Sequence, residues 1–150
     1  MRARLAIPQD LRFVFANPAE RCVNEIEMAD YTFEQAKDVF RKLRKSSSVM
    51  AVLEMDTPIG LIAWEHSKAV ETPIIGTYFL GTERFFQPTI LSARFGKKFM
   101  RGLQSELGNL PMVSMCWSTH PQTERWYEIM GYRLAETFGK QRNFVLDPMR

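Results

Sequence analysis

Apolar positions along this chain switch between two rhythms, alternation or short runs for strands and a three-to-four spacing for helices. Arg2 to Ile7 reads as a strand closed by Pro8-Gln-Asp10. From Asn17-Pro18 to Met28 the apolar residues return at helical intervals behind a capping Asn. Asp30-Tyr-Thr32 opens a second helix, Phe33 to Arg44, with Phe33, Ala36, Val39, Phe40 and Leu43 on one face and Lys37, Arg41, Lys42 and Lys45 on the other. Ser46-Ser-Ser48 is a linker. Val49 to Met55 and Ile59 to Trp64 are strands joined by a hairpin at Asp56-Thr-Pro-Ile59, and Thr72 to Leu80 is a third apolar run. Thr89 to Leu107 is a basic amphipathic helix, Met112 to Trp117 a buried strand, and Arg133 to Phe138 with Arg142 to Leu146 a closing hairpin across Gly139-Lys-Gln141.

The resulting order is β-α-α-β-β-β-α-β-α-β-β, an α/β arrangement on a mixed sheet. The unit running from Ile75 through the basic helix to Met112 suits a right-handed crossover, so strands 73–80 and 112–117 are expected side by side and parallel. A length of 150 residues is one domain's worth, and 45% hydrophobic residues is a globular content. The net charge of +3 is too mild to indicate nucleic acid. Cys22 and Cys116 show neither a disulfide framework nor zinc spacing and read as buried thiols of a reducing compartment; no metal site is expected. The N-terminal residues lack the apolar run of a signal peptide and no stretch approaches the ~20 apolar residues of a membrane span, which implies a protein made in the cytosol with no membrane partner.

Between these two strands and the final hairpin lies the most informative segment, His120-Pro-Gln-Thr-Glu-Arg-Trp-Tyr-Glu-Ile-Met-Gly-Tyr132. Thr119 or His120 stands where an N-cap belongs, Pro121 falls in the first turn, and Gly131 ends the helix. Trp126, Ile129 and Met130 share a face, which is ordinary core packing. The spacing of Tyr127, four residues before Gly131-Tyr132 and seven after His120, resembles the last signature of the GNAT superfamily of N-acetyltransferases, Asn-x-x-Ala-x-x-x-Tyr-x-x-x-Gly-Phe. His120 then stands for the Asn, Thr123 for the Ala, Tyr127 for the Tyr and Gly131-Tyr132 for the Gly-Phe. The resemblance implies a single GNAT-like domain over residues 1–150, with a mixed sheet flanked by helices and Tyr127 as the general acid that returns a proton to the coenzyme A thiolate. Packing beside Trp126 is the competing reading of Tyr127.

The resemblance also implies a coenzyme A diphosphate held at the start of the basic helix, where enzymes carry Gln/Arg-x-x-Gly-x-Gly/Ala. Free backbone N–H groups must face the anion there, and glycine lets the backbone approach. Leu91-Ser-Ala-Arg94-Phe-Gly96 occupies that place, with Leu91 for the basic or amide residue and Arg94 for the central Gly; Gln87-Pro88-Thr89 is a rival helix start. The pattern is broken, so weak or no binding of acetyl-coenzyme A is expected. If the cofactor binds, its residues are Arg94, Phe95, Gly96 and Lys97, the cations holding phosphate by charge; otherwise Arg94, Lys97, Lys98 and Arg101 are a solvated face. A general base would come from Glu65, His66 or Glu83 at strand ends, and no spacing selects among them.

A narrower resemblance rests on Thr77-Tyr-Phe-Leu-Gly-Thr-Glu-Arg-Phe-Phe86, Gly96-Lys-Lys-Phe-Met-Arg101, Trp117-Ser-Thr-His-Pro-Gln-Thr-Glu-Arg125 and Gly139-Lys-Gln-Arg-Asn-Phe-Val-Leu146. These segments are similar to small acetyltransferase-like internal virion proteins of short-tailed bacteriophages. That implies a structural or interaction module acting on phage virion proteins, made in the host cytoplasm and carried into the particle. The alternative is an active N-acetyltransferase using acetyl-coenzyme A on an amine of a host protein or small molecule. Nucleic-acid binding by the basic face of residues 94–101 is the weakest of the three, with seventeen acidic residues in the same chain.

Overall fold

Seven strands in the order β1-β2-β3-β4-β5-β7-β6 form one mixed sheet in the computed structural model, which describes residues 1–67, 71–87 and 90–150. The elements are β1 (Arg2–Leu5), α1 (Pro8–Ala16), α2 (Glu20–Met28), α3 (Phe33–Lys45), β2 (Val49–Glu54), β3 (Thr57–Ser67), β4 (Ile74–Gly81), α4 (Ile90–Glu106), β5 (Met112–Cys116), α5 (Thr123–Ile129), β6 (Arg133–Phe138) and β7 (Gln141–Leu146). The α/β class and the order of strands and helices agree with the sequence reading, with one helix added. The expected start of the basic helix at Thr89 lies outside the described residues.

The added helix is α1. Pro8 reads in the sequence as a strand terminator, but it occupies the first helical turn, where a missing N–H costs nothing. Asp10 completes the start: its carboxylate accepts from the Ile7 N–H at 2.9 Å and from the Arg4 guanidinium at 2.6 and 3.1 Å. The expected helix start at Asn17 is therefore the end of α1, and α2 begins at Glu20. Glu83 caps α2 from a distant turn, accepting from the Glu20 N–H at 2.7 Å. For α3 the sequence signal holds, since Thr32 and Gln35 bond each other's backbone N–H in a capping box.

The chain divides into two compact units. Unit 1 holds residues 1–64 and 78–87. Its β2–β3 hairpin turns at Met55-Asp56, both with positive φ, as a tight two-residue hairpin requires; Thr57 and Pro58, expected in the turn, belong to β3. Pro58 sits where the register slips past Leu53, which spares the ladder a donor it lacks. Ile59 to Trp64 are buried without alternation, the mark of a strand covered on both faces. One core cluster gathers Leu11, Val14 and Phe15 of α1, Phe40 and Leu43 of α3, and Ala51, Leu61 and Leu80 of the sheet. Phe15 meets the Phe33 and Phe40 rings edge-on at 5.4 and 5.6 Å.

Unit 2 holds residues 65–77 and 88–150. Here β4 and β5 are parallel, Ile75 beside Met112 and Gly76 beside Val113, joined by α4 as expected. The β6–β7 hairpin then places β7 against β5 in antiparallel register from Met112–Leu146 to Cys116–Arg142. Arg101 and Gln104 of α4 bond the Asp147 carbonyl, and Arg133 forks onto the Asp147 carboxylate at 2.6 and 2.9 Å. The Arg133 fork holds the Asp147 carboxyl below its usual range.

Cys22 and Cys116 are both buried free thiols. Burial pushes the Cys22 thiol up to about 12, so a nucleophilic thiolate does not form near neutrality. A disulfide-exchange reagent is expected to label neither thiol in the folded protein and both in denaturant. Fast native labelling of Cys22 would mean that α2 opens readily. Among the described residues, no helix is long and apolar enough to cross a membrane.

Candidate functional site

The paired ends of β4 and β5 in unit 2 carry two hydroxyls inward, Thr77 and Ser114, each 2% exposed. A buried hydroxyl without a partner costs on the order of 1–3 kcal/mol, so each demands one. Both partners are tyrosines. Thr77 Oγ1 lies 2.8 Å from Tyr132 Oη, and Ser114 Oγ lies 2.7 Å from Tyr127 Oη. Burial raises the Tyr132 hydroxyl above its ordinary value, against the opposing bond from Thr77. Three rings pack on Tyr127: it stacks on Phe144 of β7 at 4.1 Å and meets Trp126 and Tyr132 edge-on at 5.3 and 5.5 Å. In a hydroxyl pair only one proton is used between the two oxygens. When Ser114 donates, the Tyr127 proton is left to point at a third group.

Helix α5 presents Tyr127 by the means its sequence promised at one end and by different means at the other. Gly131 has φ +98°, and the N–H groups of Gly131 and Tyr132 return to the carbonyls of Glu128 and Tyr127, a Schellman end. At the start, neither Thr119 nor His120 is the N-cap, which is Gln122. His120 caps the preceding turn instead, its Nδ1 accepting from the Gln122 N–H at 3.1 Å. Thr123, at the superfamily's Ala position, is buried and bonded to Ser118 Oγ at 2.9 Å, while Arg142 of β7 donates to the Ser118 carbonyl. These contacts tie α5 to the neighbouring strand.

The proposed cofactor residues lie deeper in α4 than the sequence pattern implies. With the helix beginning at Ile90, Arg94, Phe95, Gly96 and Lys97 stand in its second turn, where backbone N–H groups face the preceding helical carbonyls rather than a ligand. A Cβ at Gly96 would lie 2.5 Å from Met130 Sδ, so a larger residue there would require the Met130 side chain to shift. Phe95 stacks on Phe99 at 5.7 Å. Arg94 and Lys97 are exposed cations in the second turn. The rival start at Gln87-Pro88-Thr89 falls partly outside the described residues.

Glu65 and His66 lie exposed near the end of β3 in unit 2. Glu83 belongs to unit 1, where its carboxylate is occupied as the cap of α2. The sequence reading passed over Ser114, Thr77 and Phe144. The signal was present: a lone hydroxyl inside an apolar run such as Met-Val-Ser-Met-Cys116 must have a buried partner.

Solved structures with this architecture span nearly the whole chain. The PaiA N-acetyltransferase from Thermoplasma acidophilum, in complex with coenzyme A, superposes with a TM-score of 0.66 at 10% identity, covering 99% of this chain and 98% of its own. The chain carries the acetyltransferase fold. A phosphinothricin acetyltransferase of the GNAT superfamily from Sinorhizobium meliloti, in complex with acetyl-coenzyme A, matches with a TM-score of 0.63 at 13% identity, covering 99% of this chain and 88% of its own. A putative phosphinothricin N-acetyltransferase gives 0.67 at 15% identity, with 99% of each chain covered. No protein-family model and no curated protein sequence matches the chain.

Proposed function

We propose that this protein is an N-acetyltransferase that moves the acetyl group of acetyl-coenzyme A to an amine of a host protein or small molecule. The observation that carries the reading is the Tyr127–Ser114 hydroxyl pair at 2.7 Å, inside a fold shared with enzymes that hold coenzyme A or acetyl-coenzyme A. The expectation of weak or no cofactor binding gains no support from those likenesses. A thioester would supply the activated acyl carbon. The amine nitrogen attacks that carbon, the carbon–sulfur bond breaks, the amine gives up one proton and the sulfur takes one. Tyr127 is the donor to sulfur in this reading, and Ser114, bonding its oxygen, keeps the hydroxyl in one orientation and steadies the phenolate. The first turn of α4 is where a helix start would present backbone N–H groups to a diphosphate, with Arg94 and Lys97 adding charge from the next turn.

Calorimetric titration with acetyl-coenzyme A tests this directly. Saturable binding in the micromolar range is expected. A dissociation constant at or above roughly 1 mM, worth only about −4 kcal/mol, would abandon the enzyme. It would leave the second reading, a virion-associated module contacting phage proteins. Gly96, where a Cβ would lie 2.5 Å from Met130 Sδ, would then be a packing glycine and not a phosphate one.

A further inference from the structure

Unit 1 carries a groove of about 570 Å³ that the acyl-transfer reading leaves unused. It runs between α1 and α3, with Pro8, Leu11, Phe15 and Ala16 as an apolar floor and side. The rest of its lining is cationic: Arg12 from α1 and Lys37, Arg41, Arg44 and Lys45 from α3. Among the described residues no carboxylate lines it. Two of the five cations are engaged by acids of their own helix, Lys37 with Glu34 at 3.3 Å and Arg41 with Asp38 at 2.9 Å. Arg12, Arg44 and Lys45 have no ion-pair partner among the described residues, and Arg44 is half-buried.

Lys37 and Arg41 meet acids of their own helix as on an ordinary solvated face, but three guanidinium groups and two ammonium groups together border one concavity, and Arg12, Arg44 and Lys45 bring no acid to its lining. Residues 37, 41 and 45 follow the i, i+4 spacing, so their stems rise about 6 Å apart along α3. Arginine forks match phosphate oxygens in pairs, and a lysine adds a point charge. The size suits a compact ligand rather than a long polymer, since small-molecule sites commonly enclose about 300–1,000 Å³. We propose that this groove binds an oligophosphate-bearing small molecule of the nucleoside triphosphate kind, its phosphates on Arg12, Arg44 and Lys45 and its body over the Leu11–Phe15 floor. The site is independent of the acyl-transfer reading and lies wholly in unit 1.

The test is calorimetric titration of the full chain with ATP, inorganic tripolyphosphate, adenosine and a hexaglutamate peptide, at low and at high salt. ATP is expected to bind, adenosine not to, and affinity to fall with salt as unit charges are screened. Arg12→Gln with Arg44→Gln should weaken ATP binding by about tenfold or more while leaving acetyl-coenzyme A titration unchanged, which separates this site from the acyl-transfer one. Arg12→Gln alone, on an exposed residue, keeps the result readable should Arg44→Gln disturb the packing. Equal binding of tripolyphosphate and ATP upholds the site with the phosphate chain alone as its ligand; tighter ATP upholds it with the nucleoside on the floor. No binding of either, undiminished binding in the variants, or hexaglutamate binding as tightly as ATP would overturn it.

Discussion

Tyr127→Phe is expected to lower acetyl-transfer turnover at neutral pH by at least tenfold, since general acids typically contribute ~10²–10⁴ in rate. The ring would keep its stack on Phe144 and its edge contacts with Trp126 and Tyr132. The one loss is the hydroxyl, which leaves Ser114 Oγ short of its partner. Orphaning a buried hydroxyl costs on the order of 1–3 kcal/mol, so a modest drop in melting temperature should accompany the kinetic loss. The double variant Tyr127→Phe with Ser114→Ala removes both oxygens and should regain most of that stability without regaining turnover. Unchanged turnover in the single variant, with stability lost and then restored in the double, would make the pair structural and end the general-acid assignment.

The second large effect is expected in unit 1, where the Phe85 ring fills a slot floored by glycines. A Cβ at Gly60 would lie 2.3 Å from that ring, and one at Gly81 would lie 2.4 Å from it. Phe85 comes from a 3-10 turn, Glu83–Phe86, held by the Thr82 N–H on the Ile59 carbonyl and by the fork of Arg84 on Glu54 at 2.8 Å. The ring is thus bounded by backbone on two sides. Gly60→Ala or Gly81→Ala should each cost roughly 1–3 kcal/mol, the range for overpacking a fitted site. Urea denaturation of Gly60→Ala, Phe85→Ala and their combination measures it. The combined loss should be smaller than the sum of the two, because removing the ring removes the clash. Strict additivity would mean that the ring moves aside at no cost.

Much of this fold was legible because its signals are local. The Thr32–Gln35 capping box, the Gly131 helix end and the spacing of Phe33, Phe40 and Leu43 each depend on neighbours within a turn or two. Helix α1 escaped because Pro8 has two meanings, a strand stop and a first helical residue, and the decider is Asp10 bonded to Arg4, a contact set by folding. Of the candidate site, the sequence could nominate Tyr127, where spacing carries the signal. It could not pair Tyr127 with Ser114, or Tyr132 with Thr77, because those partners lie 13 and 55 residues away. Gly96 carries a constraint of the same distant kind: its sequence neighbourhood suggests approach to phosphate, and a Cβ there would also lie 2.5 Å from the sulfur of Met130 at the end of α5.

The insertion of β7 between β5 and β6 has a consequence for how the chain is made. Synthesis delivers β5 first and β7 last, yet β5 takes its ladder from Met112 to Cys116 out of β7. At ~5–20 residues per second, the stretch between them occupies on the order of 1–5 s. During that interval β5 has an open edge on which Met112, Ser114 and Cys116 present unpaired backbone, the condition under which strands pair with the wrong partner. The hairpin that supplies the missing strand is itself local, closed by the two-residue Gly139-Lys140 turn, so it can be ready as a finished piece when the edge is still free. Unit 2 is therefore expected to be the part more sensitive to translation speed and chaperone level, which the soluble fraction recovered at slowed and normal synthesis would measure.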